Sequence, residues 1–278
     1  MAGKKGLVMG VANERSIAWG IAKACHEQGA KVAFTFQGEA LEKRVRPLAG
    51  SIGADIIVPC DVTDASSIDA TFSEIKQKWG TMDFLVHAVA FSDKNELKGR
   101  YADSTRANFI KTMVISCYAF TESAKRAAAL MPNGGSMVTL TYNGGDRAMP
   151  NYNVMGPAKA ALEASVRYLA VDFGSRNIRV NAISAGPIRT LAGAGIGDAR
   201  YMFAFQQQYS PLNRGVTLEE LGGSGLYLLS DLSGGVTGEI HFVDCGYNII
   251  AMPQPDALRA ASSGADTAKY ESTLQPQK

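Results

Sequence analysis

The amino-acid sequence predicts a single α/β domain on a parallel, doubly wound sheet of about seven strands. Three observations lead there. Short runs rich in valine, isoleucine and phenylalanine alternate with longer stretches of helical periodicity. The 278 residues are 46% hydrophobic, ample for a buried core. No linker breaks the alternation, so the domain runs from residue 1 to 252.

The first strand, at 7–9, feeds Gly10-Val-Ala-Asn-Glu-Arg-Ser16-Ile-Ala18 and then a helix through Gly20 and Ala24. A glycine-bearing turn before a helix N-terminus presents backbone N–H groups and a positive dipole end to a phosphate. The literal Gly-x-Gly-x-x-Gly spacing is absent. Gly10, Ser16 and Ala18 stand in its place, and the Ser16 hydroxyl can bond a phosphate oxygen.

The second strand, at 32–36, stops at Gln37, where a dinucleotide's adenosine ribose would lie. Glutamine selects neither nicotinamide, but no basic residue immediately follows, which favours NADH over NADPH. The third, at 56–60, ends at Asp61-Val62, and Asp61 can accept from an adenine amino group. Thr63 and Asp64 are better placed to cap the next helix, where Ile68, Phe72, Ile75 and Trp79 recur at helical spacing. The fourth strand, at 84–88, runs into small residues that leave room beside a ribose, Ala88-Val89-Ala90. The remaining strands fall at 136–141, 179–183 and 240–243, and Thr217 with Glu220 forms a capping box before the last helix. Ligand contacts recurring at strand carboxyl ends make the pattern Rossmann-type.

After the fifth strand come Tyr142, Tyr152 and Lys159. Residues 152 and 159 lie seven apart, two helical turns, so on one helix they share a face about 10 Å apart. A lysine so placed can hold a nicotinamide ribose while the tyrosine reaches a substrate carbonyl. Its ammonium also favours negative charge developing near the phenol oxygen. Residues 191–210 join a glycine-alanine stretch to an aromatic one, as a substrate lid requires, and 253–278 form a polar tail.

Several function classes are excluded. A net charge of +2 with scattered basic residues leaves no nucleic-acid footprint, and Lys43, Arg44 and Arg46 make a solvated helix face. Cys25, Cys60, Cys117 and Cys245 form no CxxC pair, and His26, His87 and His241 no metal or hydrolase cluster, so no metal is expected. His87 is expected beneath the cofactor. The N-terminus is too short for a signal-peptide core and no apolar run reaches membrane-spanning length, so a soluble, cytoplasmic protein is expected, with no membrane partner.

The run Asn151-Tyr-Asn-Val-Met-Gly156 with Lys159, then Arg179-Val-Asn-Ala-Ile-Ser-Ala-Gly-Pro-Ile-Arg-Thr190, resembles the NADH-dependent enoyl-[acyl-carrier-protein] reductases of bacterial type II fatty-acid synthesis. These form a divergent branch of the short-chain dehydrogenase/reductase superfamily. The likeness runs in register from about Lys5 to Met252, with Gly10-x5-Ser16-Ile-Ala18 and Tyr142-x9-Tyr152-x6-Lys159 as its specific motifs. It implies NADH contacts at Gly10, Ser16, Ile17, Gln37, Asp61, Val62, Val89, Lys159, Ile188, Arg189, Thr190, Leu191 and Ala192. It places a substrate contact at Ser92 and the two active-site tyrosines at Tyr142 and Tyr152. Tyr142 either lines the acyl pocket or assists the proton step. Met155, Ile196, Tyr201, Met202 and Phe203 are candidate walls of an acyl channel. The implied partner is acyl carrier protein bearing an enoyl thioester, and the implied assembly a homotetramer. Ala88 and Ala90 replace the serine and glycine more usual in the family, which points to altered cofactor affinity or inhibitor response.

Two other functions compete. A ketoreductase of the superfamily carries Tyr-x3-Lys and a serine about thirteen residues before the tyrosine; here position 156 is glycine and position 139 threonine. A silent NAD-binding regulator would ordinarily have lost the tyrosine or the lysine, and both are present.

Overall fold

The computed structural model describes residues 1–190 and 199–252. Seven strands form one sheet: β1 (Lys5–Met9), β2 (Lys31–Phe36), β3 (Ile57–Pro59), β4 (Phe84–His87), β5 (Gly135–Thr141), β6 (Ile178–Ala185) and β7 (Ile240–Val243). Their order is β3-β2-β1-β4-β5-β6-β7, and every neighbouring pair is parallel. The connection direction reverses between β1 and β4. In sheets of this kind the crevice at that reversal, outside the carboxyl ends, is the ligand site.

The helices are α1 (Ile17–Glu27), α2 (Gly38–Ser51), α3 (Ala65–Trp79), α4 (Arg106–Met113), α5 (Ala119–Ala129), α6 (Met155–Gly174), α7 (Ala199–Tyr209) and α8 (Leu218–Leu229). Two apolar layers cover the sheet, because side chains alternate along each strand. Leu7 and Met9 of β1 pack in the layer under α3, α5 and α6, while Val8 between them packs under α1, α2 and α8. On α1, Ala18, Ile21, Ala22 and Cys25 recur every three or four residues and turn one stripe to the sheet. The predicted periodic residues Ile68, Phe72 and Ile75 are the buried stripe of α3.

Polar groups fix the ends of α8. Thr217 and Glu220 form the predicted capping box, with Glu220 N donating to Thr217 Oγ1 at 3.2 Å and Thr217 N to Glu220 Oε2 at 2.9 Å. At the other end Arg179 of β6 donates to the carbonyls of Leu228 and Ser230, both at 2.9 Å. A cation on these last carbonyls complements the negative end of the helix dipole. The start of β6 is thereby tied to the end of α8.

Candidate active site

The phosphate turn closes where β1 meets β4. Gly10 has φ +98°, and a Cβ there would strike the carbonyl oxygen of Ala88. Only glycine brings the two strand ends this close. Ser16 is buried, and its Oγ accepts from the N–H groups of Ala12 and Asn13 at 3.0 and 3.1 Å. The hydroxyl thus shapes the turn and keeps its own proton for an anion. No side chain caps α1, which leaves its first backbone N–H groups and dipole end available to a phosphate.

Gln37 and Asp61 meet across the ends of β2 and β3, Gln37 Nε2 donating to Asp61 Oδ2 at 3.1 Å. Asp61 also accepts from Thr63 Oγ1 at 2.7 Å and Thr63 N at 2.8 Å, and these bonds hold its carboxyl below the usual range. Asp64 caps α3, accepting from Ser66 N at 2.9 Å, which frees Asp61 for a ligand. The Val62 side chain is buried in the core, and that of Val89 packs against it half-buried.

Beyond the turn, at the carboxyl ends of β4, β5 and β6, lies a largely apolar cavity of about 390 Å³. Its walls include Tyr142, Tyr152, Met155, Lys159, Ile188 and Phe203. The tyrosine rings sit edge to face, centroids 5.1 Å apart at 70°. Gly144 makes that contact possible: a Cβ there would lie 2.5 Å from the Tyr152 ring and 3.2 Å from that of Tyr142. Lys159 is buried and donates from Nζ to the Leu140 carbonyl at 2.8 Å, using one of its three protons. Burial pushes its pKa down to about 8. Burial also raises both phenols, Tyr152 further through Tyr142, so both remain protonated donors at neutral pH. The Tyr142 hydroxyl is buried with no partner among the described residues.

The structure amends the two-turn relation between Tyr152 and Lys159. α6 begins at Met155, so Tyr152 lies in the preceding turn, after Asn151 in the left-handed region (φ 57°). The turn returns the tyrosine to the same cavity because Gly156 N donates to the Tyr152 carbonyl at 3.0 Å, in the manner of a first helical turn.

Ser92 lines the cavity in a network that the sequence did not disclose, accepting from Thr112 Oγ1 at 3.0 Å and Asn108 Nδ2 at 3.2 Å. Neither α4 residue belongs to a motif, and only the fold brings them together. Ile17 and Thr190 also face the cavity, whereas Arg189 is exposed outside its wall. Leu191, Ala192, Ile196 and the polar tail lie outside the described residues. Of the expected acyl walls, Met155, Met202 and Phe203 line the cavity. Tyr201 does not: on α7 it is 63% exposed and packs beside Phe205, because it sits on the helix face turned from the cavity. His87 is buried against Phe120, rings 5.4 Å apart, and is not among the cavity walls. Alternation along β4 turns it into the layer under α5. Among the described residues no cluster of His, Cys, Asp or Glu could hold a metal.

Fold and site together define a dinucleotide-binding protein of the short-chain dehydrogenase/reductase class. The family model described as enoyl-(acyl carrier protein) reductase matches residues 10–248. The chain is 68% identical over 263 residues to enoyl-[acyl-carrier-protein] reductase [NADH] 2 of Rhizobium meliloti, covering 95% of this chain and 98% of that one. The crystal structure of FabI from Candidatus Liberibacter asiaticus is similar with TM-score 0.89 and 60% identity, over 91% of this chain and 98% of that one. An enoyl-(acyl-carrier-protein) reductase from Anaplasma phagocytophilum in complex with NAD matches with TM-score 0.88 and 58% identity, over 91% and 97%. The chain belongs to the enoyl-(acyl carrier protein) reductase family.

Proposed function

We propose that this protein reduces trans-2-enoyl-acyl-carrier-protein to acyl-acyl-carrier-protein with NADH, the last step of the fatty-acid elongation cycle. The observation that carries the reading is the convergence of two protonated phenols and a buried ammonium on one apolar cavity beside the phosphate turn. The residues fit a dinucleotide: the Gly10 turn admits a phosphate, Gln37 and Asp61 suit the adenosine end, and Lys159 keeps two protons for ribose hydroxyls. NADH, when bound, supplies the hydride taken up by the substrate's β-carbon.

As that carbon is reduced, charge gathers on the thioester oxygen. Tyr152 donates a hydrogen bond to this oxygen, a contact that strengthens as the charge grows. Lys159 orients the ribose and adds a favourable field. Tyr142 gives its unpartnered hydroxyl to the bound thioester, and Met155, Met202 and Phe203 exclude water along the acyl chain. The ketoreductase alternative lacks its serine, since the Thr139 hydroxyl at that place is buried and donates to the His87 carbonyl at 3.0 Å.

The acyl carrier protein as donor, a homotetramer and a cytoplasmic location complete the proposal. Tyr168 and Val171, 76% and 81% exposed on α6, support burial of that face in an assembly. Among the described residues no helix is long and apolar enough to cross a membrane. The test is oxidation of NADH and of NADPH with a crotonyl thioester and, in parallel, an acetoacetyl thioester. Turnover of the crotonyl compound with NADH is expected; turnover of the keto compound alone overturns the reading.

A further inference from the structure

One carboxylate beside the site has no part in the chemistry described so far. Glu163 lies one turn beyond Lys159 on α6 and is half-buried. Thr141, the last residue of β5, donates to its Oε1 at 2.6 Å. One residue earlier, the Leu140 carbonyl receives the Lys159 ammonium at 2.8 Å. Two successive side chains of one helix face therefore grip two successive residues of one strand end, and the next residue is Tyr142. The chain then returns over α6, where a Cβ on Gly145 would lie 2.9 Å from Glu163 Oε1. From this geometry we propose that Glu163 is the positioning residue of the active site: through Thr141 it holds the end of β5 to α6, and its charge keeps the Lys159 ammonium protonated.

The first half follows from hydrogen-bond strength. A hydroxyl bonded to a carboxylate is roughly twice as strong a tie as one between neutral groups. The carboxylate is the strong acceptor that Thr141 needs to keep the Leu140 carbonyl and Tyr142 in place. The second half follows from the surroundings of Lys159. The ionisable groups that act on or stand near it are Glu163 on α6, Cys117 in the π-helical segment Val114–Tyr118, His87 on β4, and Tyr142 and Tyr152 at the cavity. Against burial, Cys117 and then Glu163 raise the Lys159 pKa; burial pushes the Cys117 thiol up and so favours its neutral form, which leaves the Glu163 carboxyl as the acidic group of that set. Around Glu163 itself stand Asp146, which raises its pKa, and Arg167 and Lys159, which lower it, with burial raising it most. An ammonium pushed down to about 8 by burial is poised where one nearby negative charge decides how much of it is protonated.

The inference rests on the enoyl-reductase reading, and the experiment separates the two. The pH dependence of kcat/KM for NADH with crotonyl thioester reports groups of the free enzyme. It is measured for the wild type, Glu163→Gln, Glu163→Asp and Thr141→Val, with thermal melts of each. Glu163→Gln keeps an acceptor for Thr141 but removes the charge, so its alkaline limb is expected to move down by roughly one pH unit. Glu163→Asp keeps the charge and is expected to restore most of that shift. Thr141→Val keeps the charge and the shape but loses the tie, so its limb stays while kcat falls about ten-fold. A Glu163→Gln profile superimposed on the wild type, or a Glu163→Asp profile shifted as far as that of Glu163→Gln, overturns the proposal. Should Glu163→Gln not fold, Thr141→Val decides alone: a folded variant with undiminished kcat overturns it. A wild type inactive on the enoyl thioester instead defeats the functional reading.

Discussion

Removing one oxygen from Tyr142 is expected to stabilise the free protein and slow the enzyme. The Tyr142 hydroxyl is buried without a partner among the described residues. A buried polar group left unpaired costs about 1–3 kcal/mol. Tyr142→Phe keeps the edge-to-face contact with Tyr152 at 5.1 Å, so only the desolvated oxygen is lost. About 1 kcal/mol of added stability is expected, which for a domain of this size raises Tm by about 2 °C. If the hydroxyl finds its partner in the bound thioester, the same change lowers kcat/KM for crotonyl thioester by about ten-fold, because a neutral hydrogen bond is worth about 1 kcal/mol or somewhat more. Tyr152→Phe is the control. Loss of the donor aimed at the developing oxyanion is expected to cost about 100- to 1,000-fold in kcat, with NADH affinity unchanged. Differential scanning calorimetry of the unliganded proteins and steady-state assays on the same preparations read both quantities. A Tyr142→Phe variant that melts below the wild type refutes the reasoning, since the hydroxyl must then have a partner in the folded chain. Unchanged turnover in Tyr152→Phe counts against its catalytic role.

The remaining expectations concern stability and site geometry. His87 is buried and held neutral, its pKa pushed down to about 3 from 6.5 by burial and then by Lys159. The unfolded chain takes up the proton first as pH falls, so stability present above pH 6.5 is lost below it, by about 2 kcal/mol at pH 5. Urea titrations at pH 7.5 and 5 should show that loss in the wild type and a smaller one in His87→Leu; equal losses would contradict the assignment. Glu220→Ala removes half of the α8 capping box and should lower stability by about 1 kcal/mol by the same titration, leaving NADH affinity alone. Gly144→Ala places a methyl 2.5 Å from the Tyr152 ring, so kcat should fall by about 100-fold while NADH binding, followed by its fluorescence, changes less than about two-fold. A variant with wild-type kcat would show that the ring pair has room to spare.

The alternation of strand and helix determined the sheet. Leu7-Val-Met9 of β1, Val32-Ala-Phe34 of β2 and Phe84-Leu-Val86 of β4 are continuous apolar runs, as strands covered on both faces by helices require, and each of the seven observed strands overlaps a predicted one. Gly10, Ser16, Tyr142, Tyr152 and Lys159 were legible for a similar reason: local spacing places them at strand ends, and strand ends are where this class of sheet binds ligand. Tertiary structure alone decided the rest. Nothing local relates Ser92 to Asn108 and Thr112, or Glu163 to Thr141, because those pairs form when α4 and α6 close over different strand ends. Tyr201 was misplaced for the converse reason. Which face an exposed aromatic takes depends on the packing of its own helix, and sequence spacing fixes the period but not the phase.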